Sequence, residues 1–174
     1  LCGPLANPAE TSLHLLGIYD RGLLRLMAEV LHNLGVTRAL VVNARDGLDE
    51  LSPCAETDAV LLEDGAFTEK VFSPEEFAIS RAPEGSLAGG DSFENAGLVR
   101  GVLLGEPGPR RDAVVLNAGV ALWIAGLADT PREGTELASQ TLDRGEAEAT
   151  LRAVRETLDR LVPRPRETDD DTSL

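Results

Sequence analysis

The chain has 174 residues, enough for one domain around a single core. Hydrophobic content of 43% and charged content of 26% are ordinary for a globular protein, and no apolar run approaches the length that spans a bilayer. The formal net charge of -14, with Lys70 the sole lysine, repels phosphate backbones and argues against nucleic-acid binding.

In chain order, Leu1 to Glu10 is a lead-in bearing Pro, Gly and Asn. Leu13 to Tyr19 reads as a strand, and Asp20 stands where a helix N-cap belongs. Leu23, Met27, Val30, Leu31 and Leu34 recur at helical spacing, and Gly35 stops that helix at the C′ position. Ala39 to Asn43 is a short apolar run, read as a buried strand. Strand, helix and strand within about thirty residues make a βαβ unit, with parallel strands and a right-handed crossover.

The pattern then changes. Asp58 to Leu62 and Thr68 to Phe72 read as strands joined through Glu63-Asp-Gly-Ala66, a hairpin with an Asp-Gly turn. Pro74 to Pro83 is a short helical turn and a loop. Asp91 caps a helix with Glu94 as its capping-box partner, and that helix runs to about Leu104 and ends at Gly105. Gly105-Glu-Pro-Gly-Pro109 is a break. Arg111 to Ala125 is a very apolar helix that belongs at the centre of the core. Thr130-Pro-Arg-Glu133 starts another helix, with Thr at N-cap, Pro at N1 and Glu at N3. It runs to about Asp143 and is interrupted near Gly145. A last helix covers Glu146 to Leu161. The tail from residue 163 to 174 is charged and poor in apolar residues, and disorder is the expectation for it.

The acidity also fits a protein kept soluble at high salt, where screening removes self-repulsion. A high-GC coding bias would equally account for arginine in place of lysine. Cys2 and Cys54 are too few and too far apart for a metal motif, so reduced thiols in a cytoplasm are the expectation. The chain begins Leu-Cys-Gly with no initiator Met, which reads as an internal piece of a longer protein.

The candidate chemistry lies after the second strand, in Asp46-Gly-Leu-Asp-Glu50. Ligands of open α/β sheets bind just outside the carboxyl ends of strands. The adjacent carboxylates of Asp49 and Glu50 at such a position could hold a hard cation such as Mg²⁺. The alternative is a plain Asp-Gly turn in a very acidic protein. His14 falls in a strand and His32 in the last turn of a helix, and neither has metal spacing. Gly89-Gly90-Asp91 precedes a helix, yet the Asp already fills the position an anion would take, so a loop with an Asp cap is favoured over an anion site. Asn117, inside the apolar helix, is expected to make a satisfied buried contact, with Glu94-Asn95 as the kind of partner it needs.

Several segments in this order resemble one family, anthranilate phosphoribosyltransferase, of tryptophan biosynthesis. They are Gly3-Pro-Leu-Ala-Asn-Pro8, Gly17-Ile-Tyr-Asp20, Leu26-Met-Ala-Glu-Val-Leu31, Ala39-Leu-Val-Val42, Asp46-Gly-Leu-Asp-Glu50, Gly89-Gly90, Glu94-Asn-Ala96, Arg111-Asp-Ala-Val114 and Leu116-Asn-Ala118. The resemblance implies part of the large α/β domain of a nucleoside phosphorylase/phosphoribosyltransferase-type fold, in which a βαβ start is followed by a hairpin and C-terminal helices over residues 1–162. It implies transfer of phosphoribose from phosphoribosyl pyrophosphate (PRPP) to the amine of anthranilate, with Asp49 and Glu50 holding a Mg²⁺ that contacts PRPP. It also implies a homodimer formed through an N-terminal helical domain that this chain lacks, together with the Gly-rich PRPP loop and most anthranilate contacts. The chain departs from the family at Asn43-Ala44, where His-Gly is usual, and at Cys2, commonly Leu. A phosphorylase or non-biosynthetic paralogue of the same fold is the nearest rival reading. A truncated, non-catalytic binding domain is the rival from another class.

Overall fold

The computed structural model describes Leu5 and residues 11–162. Four strands form one mixed sheet in the order β1 (Leu13–Gly17), β2 (Arg38–Ala44), β3 (Thr57–Glu63), β4 (Ala66–Phe72). β1 and β2 run parallel, with Leu15 opposite Leu40, and both later pairings are antiparallel. The crossover from β1 to β2 is α1 (Leu24–Asn33), entered through a 3₁₀ turn at Arg21–Leu23.

The βαβ unit read from the sequence is therefore present, with two shifts. The first strand stops at Gly17 rather than Tyr19. The α-helix starts at Leu24, because the Asp20 carboxylate accepts from Gly22 N at 2.8 Å and winds the preceding three residues into the tighter 3₁₀ form. At the other end Gly35 has φ +89°, and Val36 N donates to Leu31 O at 3.0 Å, which closes the helix as a left-handed C′ glycine does. Leu24, Met27, Ala28 and Leu31 are buried, so α1 lays a 3-4 spaced stripe on the sheet.

Strand alternation divides the core. Ala39 and Val41 of β2 and Val60 and Leu62 of β3 pack with the α1 stripe on one face. Leu40, Val42, Ala59 and Leu61 point to the other face, where they meet Leu116, Val120, Trp123 and Ile124 of the apolar helix α3 (Pro109–Ile124). Burying one such side chain contributes about 1.5–3 kcal/mol, so the two-faced pattern fixes the register of β2 and β3. The expected hairpin is the β3–β4 pair. Asp64 (φ +51°) and Gly65 (φ +76°) form its two-residue turn, both in the left-handed region a type I′ turn requires.

Behind α3 lie α2 (Ser92–Leu103), α4 (Pro131–Asp143) and α5 (Glu146–Leu161). Val102, Val115, Ala138 and Leu142 form a smaller core joining α2, α3 and α4. The capping boxes at Asp91 with Glu94 and at Thr130 with Glu133 are both formed. Arg38, at the start of β2, donates to the carbonyls of Trp123 (2.9 Å) and Ile124 (3.3 Å) and so caps the C-terminus of α3. α5 has no buried residue. Among the described residues no helix is long and apolar enough to cross a membrane. Cys2 and the tail expected to be disordered lie outside the described residues.

Candidate functional site

The acidic segment forms the connection between β2 and β3, at the carboxyl ends of the two parallel strands. Its first part is a self-satisfied turn. Gly47 has φ +94° and its N–H donates to Ala44 O at 3.0 Å, while Ala44 N donates to Leu48 O at 2.9 Å. Asp46 is consumed inside the turn: one carboxylate oxygen accepts from Ser52 Oγ at 2.5 Å and the other from Leu48 N at 3.4 Å. Ser52 Oγ in turn accepts from Cys54 N, and Thr57 Oγ1 accepts from Ser52 N. These bonds replace the sheet ladder that the loop leaves behind.

Asp49 and Glu50 behave differently. Both are exposed, and neither makes a hydrogen bond or ion pair with the described residues. Their backbone, in contrast, is held from two sides. Gly17 packs directly on the main chain of Asp49, whose carbonyl oxygen occupies the space a side chain at position 17 would need. Leu51 is 1% exposed and sits in the core with Leu116 and Val120. The amide of Asn117, on α3, accepts from Leu51 N at 3.0 Å and donates to Leu51 O at 2.9 Å. Asn117 therefore does not pair with Glu94 or Asn95, the partners expected from the sequence. Glu94 is taken by Asp91 N, and Asn95 bonds Gly90 N and O at 2.9 Å each. That second clamp fixes the Gly89-Gly90 loop and leaves Asp91 as the helix cap.

Asn43, 7% exposed, ties the ends of the parallel strands together by donating to Ile18 O at 2.8 Å. Next to it Arg45 grips Asp58 with two bonds of 2.9 and 3.0 Å and also pairs with Glu56. The Arg45 hydrogen bonds hold the Asp58 carboxyl below the usual carboxylate range. Burial opposes this, and the charge of Arg21, 3.1 Å away, reinforces it. Arg21 and Arg45 border a cleft of about 440 Å³ on the α1 face that also includes Arg25 and Lys70. The three arginines are neutralised by Asp58, Glu56 and Glu29, and neither Asp49 nor Glu50 lines that cleft.

The histidines take structural places. His14 Nε2 lies 2.8 Å from Thr11 Oγ1, and the His32 ring meets Phe67 edge-on at 5.8 Å. The Cys54 thiol lies 3.4 Å from Pro83 O. The structure brings Asp49, Glu50, Gly17 and Asn117 into one constellation. The first pair is legible in the sequence as a candidate for chemistry. The contacts of Gly17 and Asn117 have no sequence signal, because they join segments far apart in the chain.

Known proteins share this arrangement of strands and helices. A model of the "Glycosyl transferase family, a/b domain" matches residues 1–148. The anthranilate phosphoribosyltransferase of Symbiobacterium thermophilum is 48% identical over 161 residues, covering 92% of this chain and 47% of that protein. The corresponding protein of Lactiplantibacillus plantarum is 45% identical over 151 residues, covering 87% of this chain and 44% of that protein. The crystal structure of anthranilate phosphoribosyltransferase from Thermus thermophilus superposes with a TM-score of 0.80 at 39% identity, over 90% of this chain and 46% of that one. The Saccharomyces cerevisiae enzyme in complex with PRPP and Mg has the same fold, with a TM-score of 0.81 at 23% identity over 91% of this chain and 46% of that one. The chain spans a little under half the length of these relatives.

Proposed function

The chain belongs to the glycosyl transferase family, a/b domain, and from that membership we propose that it is the C-terminal part of an anthranilate phosphoribosyltransferase. The complete enzyme transfers phosphoribose from PRPP to the amine of anthranilate and releases pyrophosphate. The observation that carries the reading is the acidic loop. It presents two exposed carboxylates on a fixed backbone at the ends of two parallel strands, in a chain 48% identical to a relative of that name.

The donor set suits Mg²⁺. This ion keeps several waters and is held by one or two carboxylates together with substrate phosphates. No group of three or more His, Cys, Asp or Glu side chains is assembled for a metal among the described residues. Asp49 and Glu50 would therefore hold the cation only when phosphate oxygens complete its shell. When bound, Mg²⁺ offsets the negative charge that gathers on the departing pyrophosphate. Asp49 and Glu50 would orient that assembly and supply no nucleophile, since the attacking group is the anthranilate amine. The contacts to anthranilate and the dimer interface belong, on this reading, to the part of the enzyme outside this chain.

The test uses the full-length protein with PRPP, Mg²⁺ and anthranilate, following the loss of anthranilate fluorescence. The wild type is expected to turn over. Asp49→Asn combined with Glu50→Gln is expected to raise the Mg²⁺ requirement far more than the KM for anthranilate. Absence of turnover by the wild type would reject the activity. A double variant with unchanged Mg²⁺ dependence would reduce the acidic pair to a surface turn. The 174-residue chain alone, which has no strand–Gly-loop–helix phosphate motif, is expected to leave the fluorescence unchanged.

A further inference from the structure

We propose that Asn117 is a positioning residue for the cation site, acting through the backbone of Leu51. The inference rests on the reading of Asp49 and Glu50 given above. It concerns how two exposed side chains on a loop come to have a defined geometry.

Leu51 lies in the connection between β2 and β3, where its N–H and C=O have no strand to pair with. Its side chain is buried, so water does not serve those groups freely. A primary amide is the side chain that offers an acceptor and a donor in one plane, and so can stand in for a neighbouring strand. Asn117 does this, with bonds of 3.0 and 2.9 Å, and its amide nitrogen also donates to Ala113 O at 3.0 Å. That third bond fixes the amide to α3 itself. The Cα of Glu50 lies about 3.8 Å from that of Leu51 across a trans peptide. Clamping Leu51 to a core helix thus sets where the Glu50 carboxylate begins. On the other side the close packing of Gly17 sets the Asp49 main chain. Asn117 itself bonds only backbone groups and touches neither carboxylate.

An alanine at 117 removes both bonds to Leu51. An aspartate keeps an acceptor for Leu51 N but turns its second oxygen toward the carbonyls of Leu51 and Ala113. Both changes let the loop move relative to α3 while leaving Asp49 and Glu50 intact. Substitutions that loosen the support of metal ligands typically cost 10–100-fold in metal affinity.

The experiment titrates the full-length protein with Mn²⁺ in the presence of PRPP and reads free Mn²⁺ by its EPR signal. Asn117→Ala and Asn117→Asp are each expected to raise the apparent Kd at least about 10-fold. Leu142→Ala, in the smaller core joining α2, α3 and α4 and apart from the Leu51 contacts, serves as a control for general destabilisation and is expected to change it less than twofold. If Asn117→Ala does not fold, Asn117→Asp supplies the reading. Values for the Asn117 variants within twofold of wild type, while the Asp49→Asn/Glu50→Gln protein loses Mn²⁺, would overturn the positioning role alone. A loss in Leu142→Ala equal to that in the Asn117 variants would also overturn it. Unchanged Mn²⁺ binding in Asp49→Asn/Glu50→Gln would overturn the cation site and this inference with it.

Discussion

The carbonyl oxygen of Asp49 lies 1.4 Å from the position a Cβ on Gly17 would take. The end of β1 and the acidic loop after β2 are thus in main-chain contact, and only glycine permits it. Gly17→Ala forces one of the two segments to move. Overpacking of this kind costs about 1–3 kcal/mol, and here the displaced atoms carry Asp49. The urea midpoint of the full-length protein is expected to fall, together with the Mg²⁺-dependent use of PRPP proposed above. An unchanged midpoint would mean that the loop is not seated on β1.

A second close approach joins two helices. A Cβ on Gly119 of α3 would come within 2.4 Å of Thr135 N and Cα, and one on Gly134 of α4 within 2.1 Å of Gly119 O. Alanine is the better helix former by roughly 0.5–1 kcal/mol, yet Gly119→Ala is expected to destabilise, because the backbones must separate. Gly97, within α2, has no such neighbour within 4 Å. Gly97→Ala is expected to stabilise by about 0.5–1 kcal/mol. Denaturant unfolding of both variants checks the opposite signs.

Asp58 links pH to stability. Its pKa is lowered in the folded chain, chiefly by the hydrogen bonds from Arg45. A group with a depressed folded pKa stabilises above its unfolded value, about 3.9, and that contribution fades as pH falls through the folded value. Asp58→Asn is expected to lower the melting temperature at pH 7 by several degrees. The gap to wild type should hold down to about pH 4 and narrow below it. Thermal melts at pH 7, 5, 4 and 3 measure this, and a gap that widens in acid would contradict the assignment.

The acidic composition bears on salt. With a net charge of -14, like charges crowd the folded surface at low ionic strength. The screening length shortens from about 30 Å at 0.01 M to about 3 Å at 1 M. The melting temperature of the full-length protein is expected to rise along a KCl series. Removing residues 163–174 is expected to change that slope little. A flat or falling series would dispose of the high-salt reading.

Local signals in the sequence are enough for most of the elements. The Asp64-Gly65 turn, the capping boxes at Asp91 and Thr130, and the Gly35 stop are each written within a few residues, and each is formed in the structure. The boundaries that differ do so for reasons of packing. β1 ends at Gly17 where it meets the Asp49 loop, and α1 is preceded by a 3₁₀ turn set by a single Asp20 hydrogen bond. The pairing of Asn117 with Leu51 crosses 66 residues. A one-dimensional pattern shows that an amide in an apolar helix needs partners, but not which loop supplies them. Its nearer polar neighbours, Glu94 and Asn95, are committed to their own helix start.

The late position of α3 has a consequence for synthesis on the ribosome. The sheet face carrying Leu40, Val42, Ala59, Leu61 and Phe72 is complete once Phe72 has been added, but its cover ends at Ile124, about fifty residues later. At roughly 5–20 residues per second, that face waits several seconds for the helix that shields it. Through that interval the apolar residues of that face have no α3 to cover them, and transiently exposed apolar surface and strand edges of this kind are what chaperones shield and what neighbouring chains can join.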